Sequence, residues 1–111
     1  MLLSALVLFA FAALLGFYLL MYVLQNKNTP KGLAFIHGPV AATGLIILII
    51  YALIYKPAPI VSIIIFILAA LGGLILIYKD ITGKPIPQWL AMGHGLTALV
   101  GFICLILFML K

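Results

Sequence analysis

Hydrophobic residues run through this chain in four long blocks, near Leu2 to Leu24, Leu33 to Tyr55, Ile60 to Tyr78 and Trp89 to Leu110, with polar residues gathered between them. Each block meets or approaches the roughly 20 apolar residues that a helix needs to cross a hydrocarbon core about 30 Å thick. None shows the apolar–polar alternation of a barrel strand. Backbone groups in lipid must bond internally, so the pattern predicts helices. The expected fold class is all-α, an integral membrane four-helix bundle. The first block has neither a basic lead-in nor a small-residue cleavage site, so it is expected to remain in the mature protein.

The blocks repeat. Moving the sequence 57 positions along itself sets Phe9 on Phe66, Gly16 on Gly73, Lys27 on Lys84, Pro30 on Pro87, His37 on His94, Gly38 on Gly95 and Gly44 on Gly101. This reads as a tandem duplication of a two-helix hairpin in one transmembrane domain, residues 1–54 and 58–111 joined by a linker at 55–57. Each repeat contains two spans, so both insert with the same orientation and are related by an axis along the membrane normal. The only two histidines therefore fall at equal depth. Proline favours the first helical position and Thr29 is a suitable N-cap, so each histidine is expected roughly 10 Å into its helix at 1.5 Å per residue.

Helical spacing gathers the matched residues on one face. His37, Ala41, Gly44 and Leu48 follow i, i+4, i+7 and i+11, and His94, Ala98, Gly101 and Leu105 repeat this. Phe9 and Gly16, with Phe66 and Gly73, share a face on the other two helices. Small residues beside a membrane histidine either let helices pack closely or leave a slot for a flat cofactor. In an up-down-up-down bundle with neighbours about 8 to 10 Å apart, the second and fourth helices lie across a diagonal of roughly 11 to 14 Å. That diagonal suits two histidines holding one iron. The candidate site is thus His37 and His94 as metal ligands, with Ala41, Gly44, Ala98, Gly101, Gly16 and Gly73 lining a haem b slot, one haem per chain. The imidazole nitrogen away from the metal would need an acceptor, from Thr43, Thr97 or a carbonyl of the preceding turn.

Charge refines the orientation. The net charge of +5 comes from six basic residues against Asp80, and the lysines sit at span ends rather than in a nucleic-acid-binding patch. Lys27, Lys31, Lys79 and Lys84 fall in the first and third loops, whereas Lys56 and Lys111 fall at the other end. The positive-inside rule puts loops one and three in the cytoplasm, as in a bacterial inner membrane. Asp80 beside Lys79 is expected to be a solvated loop charge. Tyr18, Tyr22, Tyr78 and Trp89 mark the nearer interface, and Tyr51 and Tyr55 the farther. Cys104 has no partner for an internal disulfide and reads as a packing residue.

The paired phrases HGPVAATG (37–44) and HGLTALVG (94–101) resemble the small four-helix membrane b-type cytochromes, in which histidines on facing helices hold haem. The resemblance covers the whole chain as architecture and rests on His37, His94 and their Gly and Ala neighbours as motif. It implies electron transfer to or from a quinone or a redox protein partner, in preference to the chemistry of a stand-alone enzyme. Three other readings compete. Hydrogen-bonded packing histidines suit a helper subunit of a larger membrane complex; a small transporter lacks its usual intramembrane carboxylate; and a closed copper or zinc site wants more ligands than two.

Overall fold

The computed structural model describes all 111 residues and contains four helices: α1 (Leu2–Leu24), α2 (Lys31–Ile54), α3 (Ile60–Ile81) and α4 (Gln88–Met109). All four are long and apolar enough to span a membrane, and the bundle measures 43 × 21 × 19 Å. Its length matches the roughly 40–45 Å of a bilayer with its headgroups. The large apolar side chains point outward: Leu14, Leu53, Leu74 and Ile64 are among many that are more than half exposed, while the buried positions are mainly alanine, glycine and phenylalanine. This inversion suits helices that meet lipid on one side and close-packed neighbours on the other.

Each helix packs on the next, and α4 closes the ring against α1; the diagonal pairs α1/α3 and α2/α4 have no close backbone approach. The α2–α3 seam is the most lightly packed of the four. Only side chains large enough to reach the axis can link the diagonals. Phe9 and Phe66 do so, with ring centroids 3.9 Å apart and planes within 3° of parallel. Around them lie Ala5, Leu48, Ala52, Ile63 and Leu105, which form the core in the half of the bundle away from loops one and three.

The two halves end their first helices identically. In α1, Lys27 N–H bonds to Tyr22 O at 2.9 Å and Asn26 N–H to Val23 O at 3.1 Å, with Asn26 in the left-handed region at φ 57°. In α3, Lys84 N–H bonds to Lys79 O at 2.9 Å and Gly83 N–H to Asp80 O at 3.4 Å, with Gly83 at φ 71°. Both are Schellman closures, in which a left-handed residue turns the chain back to satisfy terminal carbonyls. The helix starts differ slightly from expectation. Pro30 and Pro87 are the N-caps, not the first helical residues, and neither cap makes a side-chain bond. Thr29 does not cap α2: its hydroxyl donates to Asp80 Oδ2 at 2.7 Å.

Candidate functional site

The histidines face inward from diagonal helices, and each is held by its hairpin neighbour. His37 Nδ1 donates to the carbonyl of Ala12 on α1 at 2.8 Å, and His94 Nδ1 donates to Ala69 O on α3 at 2.8 Å. A carbonyl oxygen has two lone pairs, so it can accept an imidazole besides its own helical bond. The carbonyl of residue i points along the helix towards residue i+4, which here is Gly16 or Gly73. A Cβ on Gly16 would lie 2.9 Å from His37 Cε1, and one on Gly73 would lie 3.0 Å from His94 Cε1. These two glycines are what lets an imidazole reach the carbonyl.

The second partner thus comes from a neighbouring helix. Thr43 and Thr97 do not serve the histidines; their hydroxyls donate to Pro39 O and Gly93 O one turn back in their own helices, both at 2.7 Å. With Nδ1 carrying the proton, the neutral imidazole leaves Nε2 as the lone-pair nitrogen, free to ligate a metal. Nε2 of neither ring bonds to another group of the chain. The ring centroids are 6.1 Å apart, with planes at 88°. Two metal–nitrogen bonds of about 2 Å each, with half an imidazole on either side, make up a separation of this order.

No family model, no curated protein and no solved structure matches the chain. The reading of the site therefore rests on its geometry. The expected slot is narrower than a haem macrocycle requires. Gly44 and Gly101 sit against the chain's own aromatic rings: a Cβ on Gly44 would lie 3.2 Å from Phe9, and one on Gly101 would lie 3.1 Å from Phe66. The imidazoles themselves cover Gly16 and Gly73. Ala41 and Ala98 are half-buried on the histidine face, as the spacing predicts. A planar cofactor between the histidines would need the imidazoles and the edges of the phenylalanine stack to shift.

Asp80 is not a solvated charge: its side chain is 9% exposed and pairs with Lys31 across the α2–α3 seam, with Thr29 as a second donor. The corresponding contact on the opposite seam is made by Gln88, whose Nε2 lies 3.4 Å from Val23 O and from Leu24 O and 3.3 Å from Asn26 Oδ1. Lys31 and Gln88, like Val23 and Asp80, are equivalent repeat positions, so one inter-repeat contact recurs with different chemistry. Cys104 is half-exposed and lines a groove at the far end of the bundle. No cluster of three His, Cys, Asp or Glu side chains is present, so a closed zinc or copper site with three or four such ligands is not assembled.

Sequence reasoning did not anticipate the meeting of Phe9 and Phe66 on the axis. Its trace was visible: each phenylalanine precedes its matched glycine by seven residues, two helical turns, on one face.

Proposed function

We propose that this chain is a membrane b-type haem protein that relays electrons, with His37 and His94 as the axial ligands of one haem. One observation carries the reading: two imidazoles meet across the bundle axis at the same repeat position, each Nδ1 anchored by a carbonyl and each Nε2 free. Anchoring of the non-ligating nitrogen is the usual outer-shell arrangement for a metal-bound histidine, fixing its tautomer and orientation. An iron porphyrin held by two histidines supplies one-electron transfer rather than oxygen binding. The protein's part is to hold the imidazoles, exclude water with the Phe9–Phe66 stack and present lysines at the loop face. That face, cytoplasmic by the positive-inside rule, is where a quinone or redox protein partner would approach.

The filled space at Gly44 and Gly101 favours a second reading, in which the histidines are structural clasps and the chain is a helper subunit of a larger membrane complex. Absorption spectra separate the two. Chain produced with ample haem should purify coloured, with the sharp reduced bands of low-spin iron, and His37→Ala or His94→Ala should each abolish or grossly alter them. A colourless wild-type protein would refute haem binding and leave the clasp. An unchanged spectrum in either variant would refute bis-histidine ligation.

A further inference from the structure

The mouth of the bundle between loops one and three is a cleft of about 720 Å³ lined from both repeats. Its walls include Val23 and Asp80, Asn26 and Gly83, Lys27 and Lys84, Asn28 and Pro85, and Thr29 and Ile86. Each of these couples is a pair of equivalent repeat positions, so the cleft straddles the pseudo-two-fold axis. Four charged side chains line it: Lys27, Lys31, Lys84 and Asp80. Lys31 and Asp80 neutralise each other. Lys27 and Lys84 remain, one from each side of the axis, and neither has a carboxylate partner. Lys84 Nζ instead rests 4.8 Å from the centre of the Tyr78 ring and 3.4 Å from its hydroxyl. The backbones of both lysines are fixed by the paired Schellman closures, whose last donors are their own N–H groups. Helix dipoles add no net sign here, because α1 and α3 end at this face while α2 and α4 begin at it. The positive charge of the cleft is that of two lysines.

We propose that this cleft is a phosphate-binding site, in which Lys27 and Lys84 close on a single phosphate group from opposite sides of the axis. The group is concave-bound at the level where lipid headgroups lie, and basic pockets between membrane helices hold phosphate headgroups in this way. The asparagine side chains of Asn26 and Asn28 supply neutral donors on the same wall. The site does not depend on haem: the two lysines belong to loops that the helix ends alone position.

Native mass spectrometry of the full chain, purified in mild detergent and titrated with short-chain phosphatidic acid, tests this. Phosphatidylcholine of the same chain length is the comparison lipid, since its phosphate is screened by choline. Wild type should retain phosphatidic acid and not phosphatidylcholine. The double variant K27Q/K84Q should bind roughly thirtyfold more weakly, the effect of removing two interfacial lysines. K79Q, on the same face but outside the cleft, should bind as wild type does. Inorganic phosphate in a second arm names the source: displacement of the lipid by millimolar phosphate marks free phosphate as a ligand, whereas no displacement marks the lipid headgroup. Equal retention by wild type and K27Q/K84Q, or equal loss in K79Q, would overturn the proposal. The α-helical circular dichroism of each variant verifies folding, and its haem spectrum reports separately on the histidine site.

Discussion

Gly16 and Gly73 work as pairs with histidines, whereas Gly38 and Gly95, beside those same histidines in sequence, face open space, with nothing within 4 Å of an added Cβ. The two kinds of glycine should therefore answer the same substitution with opposite signs. Gly16→Ala forces His37 off the Ala12 carbonyl and should cost about 1–3 kcal/mol, the ordinary penalty of overpacking. Gly38→Ala should be neutral or stabilising by about 0.5–1 kcal/mol, because alanine loses less backbone entropy in a helix. Unfolding in mixed micelles measures both. Equal effects at the two positions would show that the imidazole does not occupy the space beside Gly16. The histidines and their glycines were legible as a repeated phrase, but the acceptor was not. A main-chain carbonyl on a neighbouring helix has no residue type to betray it.

Among the elements, helix number and type followed directly from the apolar blocks, and the boundaries agreed to within a few residues. The largest differences lie where polar residues carry a helix past its apolar run, as Lys79 and Asp80 carry α3 on to Ile81. What pattern alone could not reveal is how diagonal helices touch. Phe9 and Phe66 bridge α1 and α3 because their neighbours Gly44 and Gly101 leave room for the rings. Phe9→Ala should cost about 3–5 kcal/mol, as for other buried phenylalanines. Gly44→Ala should be costly in the wild-type background and close to neutral beside Phe9→Ala, since the ring it strikes is then gone. A double-mutant cycle on stability reads this coupling; strict additivity would mean that Phe9 does not seat against Gly44.

At the scale of the whole molecule, two hairpins are joined along unequal seams. The α1–α4 seam is broad and carries only the neutral Gln88 contact, whereas the lightly packed α2–α3 seam carries the ion pair. Lys31 is 48% exposed and Asp80 9% exposed, so losing one partner differs from losing the other. Asp80→Ala frees a lysine that water already reaches and leaves the Thr29 hydroxyl, which still accepts from Lys31, without its own acceptor, so it should cost about 1 kcal/mol. Lys31→Ala leaves the carboxylate with Thr29 alone and should cost about 1–3 kcal/mol, as an incompletely satisfied charged group does. Stability measured at low ionic strength checks the order, and a larger cost for Asp80→Ala would reverse the assignment. The repeat in the sequence announced the symmetry of this assembly; its departures from symmetry, at Lys31 against Gln88 and Asp80 against Val23, were visible as differences but had no meaning until the seams were seen.

The stacked phenylalanines also divide the bundle's interior in two. On the loop side, a polar cleft opens between the hairpins, lined by Asn26, Lys27, Thr29, Asp80 and Lys84. On the other side, Ala5, Leu48, Ile63 and Leu105 pack beneath the rings, with Ser62 the one buried polar side chain at that end. The ring stack and the aliphatic side chains beneath it therefore close the bundle axis between the histidines and the far end. The axis of the fold is thus sealed at one end by apolar packing, and both histidines lie on the loop side of that seal.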